Sequence, residues 1–243
     1  MSQTPQNPPQ KKPVVVLCMP GDRFSRRFIQ CYTEAIMTMS DRYEVVVSSH
    51  YSSQVNFARA LCLGADARRG HMQKPFDGKL PYDAIFWLDS DMVYSGEMIC
   101  KLIDKCLTKK AIVSGAYAME GGHQLACVEK WDEDFYLKNG CFHFITPKEA
   151  EEKIKVDPMV KCAYAGMGCM AIPYGIFEDD RLTYPWFFRD ITKFDASDPS
   201  GNTIWEGMSE DVSFMRNLIE SGVIDGVWVD LNIRFGHEKS TVF

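Results

Sequence analysis

The apolar run Ala84-Ile85-Phe86-Trp87-Leu88, followed at once by Asp89-Ser90-Asp91, constrains this chain more than any other feature. Five consecutive apolar residues with Ile and aromatics, entered through the turn-like Leu80-Pro81-Tyr82-Asp83, predict a strand covered on both faces, as in a parallel sheet flanked by helices. In open α/β sheets, ligands bind in the crevice beyond the carboxyl ends of the strands. Two carboxylates held there, two residues apart, are costly to leave unpaired, and a divalent cation is their usual partner. A plainer reading is that both acids serve the next helix. Ser95 and Glu97, followed by Met98, Ile99, Leu102, Ile103 and Cys106 at helical spacing, predict a helix start a few residues on, where acids are ordinary. The place of the tripeptide at the end of a buried strand favours the metal.

The first half of the chain alternates strand and helix. Residues 13–18 form a β-branched run closed by Pro20-Gly21, and residues 25–39 carry Phe28, Ile29, Tyr32, Ile36 and Met39 on one helical face. Residues 44–48 predict a second strand, 55–65 a second helix and 111–115 a fourth strand. This rhythm predicts an α/β fold with a doubly wound, mostly parallel sheet. The second half changes character: residues 124–130, 141–145 and 161–164 read as short strands, with a turn at Asn139-Gly140 and a helix over 147–154. They predict a smaller antiparallel part with long loops, the part of such folds that shapes an acceptor site.

At 243 residues and 46% hydrophobic composition, the chain can bury a full core as one domain over residues 13–243. Residues 1–12 are polar and proline-rich and read as a disordered tail, which cannot serve as a secretory apolar region. No later apolar run is long enough to span a bilayer, so a cytoplasmic protein without its own signal anchor is expected. The net charge of −6 argues against a nucleic-acid partner held on a broad basic surface. Nine cysteines without a Cys-x-x-Cys pair suit a reduced compartment, and Cys141 with His143 lacks the second close pair that a zinc site requires.

Four further elements are candidates for the site. Ser209-Glu210-Asp211 opens a segment with Val212, Met215, Leu218 and Ile219 on one face, which places both acids in the first turn of a helix, where they also serve as ordinary dipole partners. His237 follows the apolar strand 226–230, and its borderline nitrogen beside two carboxylates suits Mn²⁺; otherwise it is an exposed or structural histidine. Asn56 and Arg59 share a face at a helix start, which could equally be a solvated face. Gly166 and Gly168 permit either close backbone approach to a ligand or a simple bend.

In this order along the chain, Asn56-Phe57-Ala58-Arg59, Phe86 to Met92, Gly115-Ala116-Tyr117, Gly166-Met167-Gly168, Pro185-Trp186-Phe187, Glu210-Asp211 and Gly236-His237 resemble the GT-A glycosyltransferase fold. The similarity is to glycosyltransferase family 2 and to viral and phage sugar enzymes. It implies a metal-dependent, inverting transfer from a UDP- or GDP-sugar to a hydroxyl of a glycan, glycoprotein or glycolipid, in viral or bacterial glycan synthesis. On this resemblance Pro20, Gly21, Asn56 and Arg59 would hold the nucleotide, and Ser90 and Asp91 the ribose and the Mn²⁺ or Mg²⁺. Asp89 would meet the metal or the donor sugar, His237 would be a third ligand, and Asp211, or else Glu210, would be the base. One departure is the long basic segment between Arg59 and Asp89, with Arg68, Arg69, His71 and Lys74.

Three other readings compete. A nucleotidyltransferase would carry a glycine-rich, lysine-bearing loop where this chain has Pro20-Gly21-Asp22-Arg23. An aspartyl phosphatase would place its acids after the first strand. A catalytically silent sugar-nucleotide or glycan-binding module would bind nucleotide without transfer.

Overall fold

The computed structural model describes residues 11–194 and 203–238, so residues 1–10 of the expected tail lie outside the described residues. In chain order the elements are β1 (Val14–Pro20), α1 (Arg26–Arg42), β2 (Glu44–His50), α2 (Val55–Cys62), β3 (Ala84–Leu88), β4 (Met92–Val93), α3 (Gly96–Lys109), β5 (Val113–Tyr117) and β6 (Cys127–Val128). They continue with α4 (Glu133–Asn139), α5 (Pro147–Ile154), β7 (Met159–Cys162), β8 (Tyr164–Ala165), β9 (Cys169–Pro173), β10 (Ile191–Phe194), β11 (Ile204–Gly207), α6 (Glu210–Glu220) and β12 (Val227–His237).

The fold is α/β, built on a mostly parallel central sheet in the order β2-β1-β3-β9-β5-β12-β4, with β7 also paired to β12. Alternation along the strands divides the core. Val14, Val16, Cys18 and Trp87 pack with α2 and α6 on one face, and Val15, Leu17, Phe86 and Leu88 pack with α1 and α3 on the other. Every residue of β3 is fully buried, as its apolar run predicted. Removing a side chain the size of Phe86 from water contributes about 1.5–3 kcal/mol, so this strand anchors whatever follows it. Helix α1 begins where Ser25 accepts the Phe28 N–H, and α3 where Ser95 accepts the Met98 N–H.

Three elements depart from the sequence reading. Strand β9 occupies the middle of the sheet, antiparallel to both β3 and β5, where no strand was expected. Its residues Cys-Met-Ala-Ile-Pro are buried on both faces like those of β3, but without the aromatics that marked that strand. The expected strand over 141–145 amounts to a bridge between Phe144 and Val128. The second helix ends at Cys62, and Gly64, at φ +69°, turns the chain away. No helix among the described residues is long and apolar enough to cross a membrane.

Candidate active site

The carboxyl ends of β1, β2 and β3 meet at Gly21. Its N–H donates to the His50 carbonyl at 3.0 Å, and a Cβ on it would lie 2.9 Å from Ser90 Oγ. At φ +141° the position is open only to glycine, so Pro20-Gly21 and Ser90 are packed together at the crevice.

Asp91 is brought to His237 by tertiary pairing. Strand β12 is eleven residues long and carries an irregularity between Asp230 and Arg234; its last residues, Gly236 and His237, lie opposite Val93 and Met92 of β4. A Cβ on Gly236 would be 3.0 Å from that of Val93, so the glycine lets the strands close. His237 Nδ1 lies 2.9 Å from the Ala118 carbonyl and Nε2 lies 3.1 Å from Asp91 Oδ2. A carbonyl can only accept, so Nδ1 carries the proton and donates it. Nε2 faces a carboxylate oxygen at hydrogen-bond distance, so the pair can close directly as an ion pair, and the same two groups could serve as ligands to a cation.

Asp89 has a different partner. Arg59, on the inward face of α2 and 2% exposed, places Nη2 3.1 Å from both Asp89 carboxylate oxygens and donates Nε–H to Glu210 Oε1 at 3.1 Å. Its guanidinium lies 5.4 Å from the centre of the Trp87 ring. Burial would pull the Arg59 pKa down, but Asp89, Glu210 and Asp211 outweigh it and hold the guanidinium charged. Arg59 thus sits beneath the crevice on two acids, whereas the resemblance implied that it would hold the nucleotide. Asn56 is half-buried one turn earlier.

The two acids of α6 diverge. Glu210 is 7% exposed and bound to Arg59. The half-buried Asp211 accepts from Tyr164 Oη at 3.0 Å through Oδ2, and from the Val212 N–H at 2.8 Å and the Ser209 hydroxyl through Oδ1. Burial, and next Asp211, push the Tyr164 pKa far up, which keeps that hydroxyl a donor. Tyr164 was not anticipated; in the sequence it is one aromatic within a short apolar run.

Burial also pushes the Glu210 carboxyl above its ordinary 4.5, against a downward pull from Arg59 and with a further rise from Asp211. A carboxyl whose folded pKa is raised contributes stability fully below its unfolded pKa, and that contribution is lost as pH rises through the folded value. The stability of the wild type relative to Glu210→Gln is therefore expected to fall as pH rises through the range above the ordinary carboxyl value of 4.5. Urea unfolding across that window checks it, and a difference that grows with pH contradicts it.

Gly166 and Gly168 serve packing. A Cβ at Gly166 would lie 2.0 Å from Tyr117 Oη, and one at Gly168 would lie 2.4 Å from Met92 Cε and 3.1 Å from Tyr117 Cζ. The Tyr117 ring fills the space these glycines leave, and its centre stands 5.2 Å from that of the His237 ring. The basic segment is neutralised locally, Arg68 by Asp66, Arg69 by Asp77 and Lys74 by Asp180. His143 pairs with Glu149 at 2.9 Å. Among the described residues, no three His, Cys, Asp or Glu side chains are grouped so as to hold a metal by themselves.

No family model matches the sequence, nor does any curated protein. Among solved structures the chain is similar to A197 from STIV, at 14% identity and a TM-score of 0.48 over 94% of this chain and 96% of that one. It is also similar to glucosyl-3-phosphoglycerate synthase from Mycobacterium tuberculosis in complex with Mn²⁺, UDP-glucose and phosphoglyceric acid. That likeness has 12% identity and a TM-score of 0.46, over 95% of this chain and 73% of the synthase. The likeness is one of fold. The functional reading is carried by the side chains.

Proposed function

We propose that this protein is a metal-dependent GT-A glycosyltransferase, with residues 13–243 as its catalytic domain, that moves a sugar from a UDP- or GDP-sugar to a hydroxyl acceptor with inversion. The observation that carries the reading is Asp91 Oδ2 facing His237 Nε2 at 3.1 Å beyond the carboxyl end of β3, with Nδ1 tied to the Ala118 carbonyl. A hard oxygen with an imidazole nitrogen fits Mn²⁺, and the carboxylate oxygen alone fits Mg²⁺, a cation commonly held by one or two carboxylates and completed by substrate phosphates. When bound, the ion would offset the charge that gathers on the departing nucleoside diphosphate.

The remaining work falls to the chain. Gly21 and Ser90 line the crevice where the nucleotide would lie. Asp211 would take the acceptor hydroxyl proton as the acceptor oxygen bonds to the sugar C1 and the bond from C1 to the diphosphate breaks. Tyr164 and the Val212 N–H fix the direction of that carboxylate. Helix α6 places Asp211 in its first turn, and the antiparallel elements around β8 supply Tyr164 from the acceptor side.

The test is calorimetry of UDP and GDP with Mn²⁺, with Mg²⁺ and with chelator. Affinity that requires the ion supports the reading, and equal affinity under all conditions refutes it. His237→Ala is expected to reduce ion-dependent affinity by about 10- to 100-fold in a folded protein, because the pairing of β12 with β4 runs through the backbone. An unfolded variant, or one with full metal affinity, would show His237 to be structural.

A further inference from the structure

We infer that Arg59 is a positioning residue that clamps Asp89 to Glu210 and thereby fixes the spacing between the two sides of the site. Its functional consequence rests on the glycosyltransferase reading above. Asp89 directly follows the donor-side strand β3, and Glu210 begins the helix that presents Asp211; they are 121 positions apart by their residue numbers and meet through one guanidinium. The separate arms of Arg59 divide the task, Nη2 serving Asp89 and Nε serving Glu210, each at 3.1 Å. A planar fork can hold two carboxylates in fixed directions, which a lysine ammonium on a flexible stem does not reproduce.

Stability alone does not account for the arrangement. A buried ion pair is often no better for stability than apolar residues of the same volume, and Arg59 leaves Nη1 without a hydrogen-bond partner in a position 2% exposed. What the arginine supplies is geometry. With Glu210 held inward, the next residue of the helix turns Asp211 to Tyr164, so the base inherits its direction from the clamp. Nη2 stands 3.1 Å from both Asp89 oxygens, so the carboxylate, its side chain 27% exposed, is held at a set position at the strand end. Asp89, Glu210 and Asp211 all act on Arg59, and without it three carboxylates would repel one another across the site.

The inference separates Arg59 from a nucleotide-binding role. UDP with Mn²⁺ serves as the binding probe and release of UDP from UDP-glucose as the turnover probe. Arg59→Lys is expected to keep UDP affinity within about threefold while lowering turnover by up to roughly 10²-fold, the cost of misplacing reacting groups by about an ångström. A second measurement needs no substrate and leaves Arg59 in place. The melting-temperature shifts of Asp89→Asn and Glu210→Gln are expected to be non-additive in the double variant, because both act through the same guanidinium. Equal losses of UDP affinity and turnover in Arg59→Lys, or additive shifts in the double variant, overturn the clamp. If the wild type binds GDP in place of UDP, GDP and a GDP-sugar take over as probes; if it binds neither, the glycosyltransferase reading falls, and the unfolding cycle still decides the clamp.

Discussion

Asp211→Asn is expected to lower sugar transfer by roughly 10²- to 10⁴-fold while leaving nucleoside diphosphate affinity intact. The change keeps shape: the asparagine oxygen can still accept from the Val212 N–H, and its NH2 then faces Tyr164 Oη, which can rotate to accept, so the loss isolates the proton-accepting role. If Asp211 served only the dipole of α6, the same change would cost about 0.3–1 kcal/mol of stability and leave turnover nearly unchanged. Transfer rates with the donor identified by nucleotide screening, measured beside the melting temperature, separate the two outcomes. Glu210→Gln is the necessary companion, since Glu210 is a neighbouring carboxylate already committed to Arg59. Near-full transfer in both single variants would remove the base assignment and the inverting mechanism with it.

Asp91→Ala is expected to abolish the ion-dependent part of nucleoside diphosphate binding, a loss of at least about 100-fold, the upper end of the cost of disturbing a ligand's supporting partners. The local backbone should persist, because the Asp91 carbonyl accepts from the Glu238 N–H at 2.7 Å and Met92 remains paired with His237. Titration of UDP into wild type and variant, with Mn²⁺ and with chelator, reads the effect directly. A variant whose affinity still responds to the ion would move the metal away from Asp91, leaving the closeness of Asp91 and His237 a structural ion pair.

Much of this site was legible from local pattern. The strand Ala84–Leu88 and the acids after it could be placed because a short run of large apolar residues ending in carboxylates has few stable settings in an α/β fold. The helix bearing Glu210 and Asp211 was legible from its apolar spacing and its serine start. Strand β9 was not, because Cys169–Pro173 holds one β-branched residue and no aromatic, whereas the equally buried β3 carries Ile85, Phe86 and Trp87. The glycines at 166 and 168 were ambiguous for the same kind of reason. A missing side chain records that space is needed without saying what fills it, and here the Tyr117 ring fills it.

The sequence by itself determined which residues form β3 and α6 and which carboxylates stand at their ends, since these follow from the periodicity of neighbouring residues. Tertiary structure decided their partners. Asp91 meets His237, 146 positions away, because β12 closes on β4, while Asp89 and Glu210 share Arg59 because α2 and α6 converge beneath the sheet end. Hydrogen bonds and ion pairs act over a few ångströms, and which groups come within that range is set by how the strands are ordered and the helices packed, information that no local stretch of the chain contains.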